Sequence, residues 1–354
     1  MAQAIGIKIY AQDSYLNHEE AHLVFEVTNL SGKTIHILKW NTPLEGLNSP
    51  CLDVKTGNRK ISYDGIMIKR GSPQSKDFLT LAPKESVSNK FDLTVAYDVS
   101  KPGSINVNFN PDKFVYYSDE PLSKAVEMSS LGFQKKAKSK KIALELKPTS
   151  FKISKGTAKR QTTGQFYRQQ EQKKKKSKSK ITAMSFNAVA PGLLPCLLVG
   201  GSATKKTRAR TAHSNGYALA KAALAGMAKD AKYKLWFGTY SKSRFAKVKS
   251  HYSALVKKME EAQFTYNLTG EDCGSGVYAY TYKGTTTIWF CDAFWSATDT
   301  GTDSRAGTVV HEHTHATANT DDIQYGQSGC QQLAVNSPAN AVMNADSHEY
   351  YAGG

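Results

Sequence analysis

Short apolar runs of period two fill the first third of the chain. Leu23-Val24-Phe25-Glu26-Val27-Thr28-Asn29 and Ile105-Asn106-Val107-Asn108-Phe109 are rich in β-branched and aromatic residues. Turn clusters such as Ser31-Gly32, Lys101-Pro102-Gly103 and Asn110-Pro111-Asp112 separate runs of this kind. Several short strands with regular turns predict an all-β, sandwich-like domain over residues 1–120. Nothing in that region converges on chemistry. The pattern changes over residues 183–354, which read as α+β. Ala218-Leu219-Ala220-Lys221-Ala222-Ala223-Leu224 lies in a strong helix former, and a second helix is predicted from Phe245 to Ala262. Val277 to Tyr282 and Thr285 to Phe290 flank Lys283-Gly284 and predict a hairpin. Three helical stretches are expected after it, around residues 304–316, 322–335 and 338–351.

Charge divides the chain at the same places. The net charge of +17 over 354 residues invites a nucleic-acid reading. Its distribution argues against one. Residues 135–180 hold 15 Lys and 2 Arg against Glu145 and Glu171, while residues 1–134 have a net charge of −1 and residues 183–354 of +3. A run such as Lys173-Lys174-Lys175-Lys176-Ser177-Lys178-Ser179-Lys180 repels itself and buries no apolar area. Residues 121–182 are therefore expected to be a Lys-rich linker, with no nucleic acid as partner.

No stretch approaches the roughly 20 apolar residues of a membrane-spanning helix. The opening Met1-Ala2-Gln3-Ala4-Ile5-Gly6 lacks the basic and apolar regions of a signal peptide. Either the signal has been cut away, or export uses another route, or the protein stays inside. The five cysteines, Cys51, Cys196, Cys273, Cys291 and Cys330, form no CxxC pair, so no thiolate zinc site is indicated. Cys273 and Cys291 flank the hairpin, which suits a disulfide; buried free thiols are the other reading.

The chemistry concentrates in His311-Glu312-His313-Thr314-His315. Four positions apart on a helix, His311 and His315 share one face and can share one ion, while Glu312 reaches a metal-bound water. This is the HExxH arrangement of zinc hydrolases. His18-Glu19-Glu20-Ala21-His22 matches it too, but runs into a predicted strand. There, positions i and i+4 lie ~13 Å apart, too far for two ligands of one zinc. A catalytic zinc takes a third protein ligand, and Asp321, Asp322 and Tyr325-Gly326 follow the second copy. A carboxylate suits zinc, and a tyrosine one helical turn later could face the same site. Thr320 or Asp321 could instead cap a helix, and both readings can hold, one Asp capping and the other ligating. Asp346 and Glu349, three apart on a predicted helix, are neighbours and could together hold an ammonium; a solvated helix face is the alternative.

The C-terminal residues resemble the aspzincin metalloendopeptidases, the deuterolysins and more closely the peptidyl-Lys metalloendopeptidases. The resemblance covers residues 212–352. It is carried by Leu235 to Tyr240 with Ser243-Arg244, Cys291 to Trp295, Thr300 to Glu312 and Ala341 to Tyr350. It implies His311, His315 and Asp322 as ligands of one zinc per chain, the Asp-x-x-Tyr-Gly register selecting Asp322. It implies Glu312 as general base, Tyr325 as the group that stabilises the oxyanion, and Asp346 with Glu349 as the pair that holds lysine at P1′. His313 points to another helix face and has no assigned role. The N-terminal region resembles the prosegment of bacterial secreted members. The expectation is a two-domain protein, an N-terminal all-β sandwich-like prodomain followed by a C-terminal α+β zincin-like metalloprotease domain. It would be a secreted, monomeric zymogen acting on protein and peptide substrates. Its own propeptide would serve as intramolecular inhibitor or chaperone and be removed by cleavage in the linker. A β-sandwich protein that grips a surface or carbohydrate, with a non-catalytic zinc site, is the alternative.

Overall fold

The computed structural model describes residues 5–11, 21–101, 103–130, 145–147, 149–153, 161–176 and 191–353. The chain forms two compact units. One comprises Met1–Ile66 and Pro73–Phe166, the other Met67–Ser72 and Tyr167–Gly354. The hexapeptide Met67–Ser72 thus leaves the first unit and counts with the second.

The first unit is strand-rich, as its period-two pattern predicts. In chain order come β1 (Ile5–Ala11), β2 (His22–Asn29), β3 (Ile35–Leu38), β4 (Leu52–Thr56) and β5 (Arg59–Ile61), ahead of β6 (Ile66–Arg70), which joins the sheet of the second unit. Then follow β7 (Phe78–Leu81), β8 (Ser86–Asp92), β9 (Gly103–Phe109), β10 (Tyr116–Ser118), α1 (Leu122–Ser130), β11 (Glu145–Lys147) and β12 (Thr149–Ile153). Three sheets result, ordered β11-β1-β2-β8, β10-β3-β7 and β12-β9-β4-β5. Leu23, Phe25 and Val27 of β2 and Ile105, Val107 and Phe109 of β9 face one shared core, where the rings of Phe25 and Phe109 lie 5.1 Å apart. His22 opens β2; His18, its partner in the first HExxH copy, lies outside the described residues.

The span read as a linker, residues 121–182, contains α1, β11, β12 and α2 (Thr163–Lys176). β11 adds to β1 in parallel and β12 to β9 antiparallel, each satisfying backbone groups that a sheet edge would leave bare. The basic run Lys173 to Lys180 is described only to Lys176, and most processing positions expected in residues 135–180 lie outside the described residues.

Among the described residues, the second unit combines β6, β13 (Leu197–Val199), β14 (Thr265–Asn267), β15 (Val277–Tyr282) and β16 (Thr287–Phe290) with the end of α2 and eight further helices. The eight are α3 (Ala203–Ala225), α4 (Ala231–Phe237), α5 (Lys242–Glu261), α6 (Asp292–Ser296), α7 (Arg305–Ala318), α8 (Gln327–Asn336), α9 (Pro338–Met343) and α10 (Ala345–Gly353). The sheet order is β13-β14-β16-β15-β6. β13, β14 and β16 run parallel and β15 returns antiparallel as the predicted hairpin. Cys273 and Cys291 form a disulfide across it, while Cys51, Cys196 and Cys330 are buried thiols. The end of α2 docks on the hairpin. Tyr167 stacks on Tyr282 with centroids 4.7 Å apart, and Glu171 accepts from the Thr286 N–H and the Thr287 hydroxyl, each at 2.8 Å. Among the described residues no helix is long and apolar enough to cross a membrane.

Helix α7 runs through the middle of this unit, against α3, α5, α10 and β15. Two glycines allow that packing. A Cβ on Gly216 of α3 would lie 2.6 Å from Val309, and one on Gly307 would lie 2.5 Å from Glu349. Both approaches are closer than a side chain tolerates.

Candidate active site

Nearly the whole of α7 is buried, from Arg305 to Ala316. The Ser304 hydroxyl caps its start by accepting from the Gly307 N–H at 3.0 Å. Asn319 ends it in the left-handed conformation at φ 54°. So many polar side chains inside a protein require partners. Thr308 donates to the Ser304 carbonyl and Thr314 to that of His311. His313 lies 2.6 Å from the Val309 carbonyl through Nδ1 and packs on Phe264. Burial pushes its pKa down to about 3, with His213 adding to the effect. It is a neutral core histidine on the face away from the metal-type cluster.

On the other face, three donor atoms converge. His311 Nε2 and His315 Nε2 are 3.1 Å apart, and Asp322 Oδ1 lies 3.0 Å from the first and 3.2 Å from the second. Tetrahedral zinc with N and O ligands near 2.0–2.2 Å spaces neighbouring ligands by roughly 3.3 Å, so the cluster suits that ion. His315 Nδ1 faces the Thr320 carbonyl at 2.8 Å; its proton sits there, leaving Nε2 free to ligate. Asp322 Oδ1 has no hydrogen-bond donor in suitable geometry. Burial raises the Asp322 pKa, but His315 and His311 outweigh it and hold the carboxyl far below its usual range. Glu312 is fully buried beside the cluster and both its oxygens lack a hydrogen bond. Desolvation pushes its pKa up to about 8, against the pull of His311.

Asp321 goes elsewhere. Its carboxylate pairs with Lys283, and its backbone bridges Asn344, donating to the Met343 carbonyl at 2.7 Å and accepting from the Ala345 N–H at 3.1 Å. That bridge has two consequences for the helices expected here. It breaks the stretch expected at 338–351 into α9 and α10, with Asn344 extended between them. It also keeps residues 321–325 out of any helix, so α8 starts only after Gly326 and neither Thr320 nor Asp321 caps it. Asp322 and Tyr325 therefore meet the site from an irregular loop rather than from successive helical turns. Asn344 Oδ1 shapes the loop, accepting from the Ile323 and Gln324 N–H groups at 3.0 Å each.

Asp346 and Glu349 lie on α10, both buried, with Asp346 Oδ1 2.7 Å from His311 Nδ1. The imidazole of His311 thus faces Asp322 with one nitrogen and Asp346 with the other. His311, Asp346 and Glu349 form a second group able to hold a cation, but a cation already stands there. Lys69 Nζ is 2.6 Å from Glu349 Oε2, 3.1 Å from Asp303 Oδ1 and 3.7 Å from Asp346 Oδ1. The Tyr278 and Tyr350 rings lie 5.1 and 5.9 Å from the ammonium. Burial alone would lower the Lys69 pKa; Asp346, Glu349 and Asp303 overcome it and raise the pKa well above the ordinary value. Burial pushes Glu349 up against the pull of Lys69.

Lys69 sits in β6, within the segment that joins the second unit. The same strand meets the other candidate residues. The Tyr325 hydroxyl donates to the Ile68 carbonyl at 2.8 Å, and Asp322 Oδ2 accepts from the Ile68 N–H at 2.8 Å. The reading that nothing in residues 1–120 converges on chemistry is therefore corrected. A lysine inside the apolar run Ile66-Met67-Ile68-Lys69-Arg70 was the signal that the sequence offered. Asp303, Tyr278 and Asn344 also escaped the sequence reading. Asp303 and Asn344 lie inside the runs that carry the family resemblance, but no spacing rule links them to Asp346.

The aspzincin family model, described as lysine-specific metallo-endopeptidase, matches residues 222–353. The chain is 28% identical over 364 residues to a peptidyl-Lys metalloendopeptidase of Armillaria mellea, covering 99% of this chain and 92% of that protein. It is 42% identical over 161 residues to a peptidyl-Lys metalloendopeptidase of Pleurotus ostreatus, covering 44% of this chain and 94% of that protein. An extracellular protease of Aeromonas hydrophila is 26% identical over 341 residues, 94% of this chain and 88% of its own length.

Proposed function

The chain belongs to the aspzincin family of lysine-specific metallo-endopeptidases, and from that premise we propose that it cuts peptide bonds on the amino side of lysine, with one zinc per chain. Family members depend on zinc. His311, His315 and Asp322 would hold the ion. The observation that carries this reading is the two-sided environment of His311, with a zinc-sized donor cluster at Nε2 and an acidic, lysine-filled pocket at Nδ1. The surface- or carbohydrate-binding alternative has no support of this kind.

Zinc, when bound, supplies a water of lowered pKa and a polarised carbonyl. Glu312 takes a proton from the attacking water and hands it to the leaving amine; its two unpaired oxygens and raised pKa suit a group that must both accept and release a proton. Tyr325 donates to the carbonyl oxygen as charge develops on it. Glu349, with Asp346 and Asp303, receives the P1′ ammonium. Asp346 also orients His311 through Nδ1.

The protein is made as a secreted, monomeric zymogen whose N-terminal unit restrains the catalytic one and is removed in the Lys-rich span, the catalytic unit keeping a zincin-like fold. The Pleurotus relative, covered almost entirely by 44% of this chain, supports a catalytic part that stands alone. An extracellular relative supports export. Digestion of a protein mixture, with cleavage sites mapped by mass spectrometry, tests the activity. Cuts before lysine are expected, and cuts without side-chain preference would remove the specificity. Sequencing the amino terminus of the mature form tests the processing, with a start within residues 135–183 expected.

A further inference from the structure

Among the described residues, one strand meets both the metal-type cluster and the acidic pocket. Ile68 lies between Asp322, which accepts from its N–H, and Tyr325, which donates to its carbonyl. The next residue, Lys69, has its ammonium on Glu349, Asp303 and Asp346. Farther along, the Gly71 N–H donates to the Gly276 carbonyl at 3.0 Å, just before β15 begins. β6 is the neighbour of β15 at the edge of the five-stranded sheet. The edge pairing, the Tyr325 bond and the Lys69 contacts each have a counterpart in how a protease holds a peptide. The peptide lies along a sheet edge, the scissile carbonyl meets the oxyanion donor, and the side chain beyond the bond fills the specificity pocket.

We propose that Met67–Ser72 is a built-in substrate strand, with Ile68 at P1 and Lys69 at P1′, which closes the site to other peptides until the Ile68–Lys69 bond is cut. The inference rests on the proposed preference for lysine and adds an occupant, a register and a bond. The strand is covalently joined to the N-terminal unit on both sides, since Ile66 and Pro73 belong to that unit. Its local concentration at the site is therefore high without any tight intrinsic affinity. Cutting turns one continuous strand into two ends. Water adds its oxygen to the Ile68 carbonyl carbon, the bond to the Lys69 nitrogen breaks, and a proton passes through Glu312 to the new Lys69 amine. Ile68 leaves as a carboxylate that Asp322 and Glu312 repel, and Lys69 remains joined to residues 70–72 alone on that side of the break.

The register makes Lys69 separable from the catalytic groups. In full-length protein carrying Glu312→Gln and stripped of metal, calorimetry with the peptide acetyl-Ala-Lys-Ala-amide should detect no binding at millimolar concentration. Adding Lys69→Gln should expose the pocket and strengthen binding at least tenfold. Lys69→Arg should behave as the blocked parent, because its cation still fills the pocket; it also shows that a substitution at this position folds. Hydrogen exchange at the Gly71 amide should speed up in Lys69→Gln alone. In the protein with Glu312 intact and zinc added, intact mass and amino-terminal sequencing should show a chain beginning at Lys69, absent from Lys69→Gln and from Glu312→Gln. Equal peptide binding with and without Lys69 would overturn the occlusion. Persistence of the Ile68–Lys69 bond in an enzyme that cuts other peptides before lysine would overturn the register while leaving the lysine preference standing. Failure to cut before any lysine would instead remove the preference on which both rest.

Discussion

The two units bury different things. In the first, the interior is made of side chains such as Ile7, Phe25, Val54 and Val107, and a buried polar group such as Asn29 serves the backbone, donating to the Lys33, Leu81 and Ala82 carbonyls. In the second, an entire helix of mixed polarity lies inside, and carboxylates, imidazoles and an ammonium meet away from water. A buried polar group costs stability unless paired, and most of α7 obeys that rule. The exceptions, both oxygens of Glu312 and His311 Nδ1, fall at the candidate site, as do Asp322 Oδ1 and carboxylate oxygens of Asp346 and Glu349. An unpaired buried carboxylate in a well-packed unit marks the place of something that arrives later. In the first unit, burial explains the fold; in the second, it points to the chemistry.

The largest effect that would break this contrast is at Glu312. Glu312→Gln keeps the volume but removes the base, so kcat should fall about 10²–10⁴-fold while metal analysis still finds one zinc. Unchanged turnover would make Glu312 an ordinary core residue. Next comes the ammonium pocket. Glu349→Gln leaves the P1′ lysine with weaker partners. Losing one member of a buried pair costs about 3–5 kcal/mol, so kcat/KM for lysyl substrates should drop more than 100-fold. Asp303→Asn, at 3.1 Å rather than 2.6 Å and partly exposed, should cost less. Equal losses on substrates without lysine would show a folding defect instead.

A smaller, graded effect comes from acid. Burial lowers the pKa of His213 and His251 to about 4 and of His313 and His348 to about 3, all in the second unit. Unfolded, these histidines titrate near 6.5. Their folded pKa values are depressed, so the unfolded state binds more protons between about pH 3 and 6.5. The stability they contribute is complete above pH 6.5 and is lost as pH falls toward 3. Each pH unit between folded and unfolded titration is worth about 1.4 kcal/mol per group. Thermal melts from pH 7 to pH 4 should therefore show the second unit losing stability, read from its Trp236, Trp289 and Trp295 fluorescence. A tryptophan signal flat with pH would contradict neutral burial. The least effect on activity is expected from Phe25→Ala. It should destabilise the first unit by about 3–5 kcal/mol and leave kcat of the processed enzyme unchanged.

Much of this was legible in the chain. The period-two strands of residues 1–120, the hairpin at Lys283-Gly284 and helices near 218–224, 245–262 and 304–316 follow from local patterning, which depends on neighbours a few residues away. His311, Glu312 and His315 come together by helix geometry alone, because four residues make about one turn. The family resemblance added Asp322, Tyr325, Asp346 and Glu349, and the structure brings all of them to one place. What remained hidden depended on distant contacts. The choice between Asp321 and Asp322 turned on a backbone bridge to Asn344, 23 residues away by numbering, which aims one carboxylate at Lys283 and the other at the imidazoles.

By itself the sequence determined a metal-binding helix, a strand-rich partner region and membership of a lysine-directed peptidase family. Only the tertiary structure decided what His311 faces on its second nitrogen, why Gly307 must lack a side chain, and that Lys69 fills the acidic pocket. The reason is physical. Helix and strand periods are written in residues one to four apart, whereas Lys69 and Glu349 are separated by most of the chain and meet only because folding brings β6 to the edge of β15.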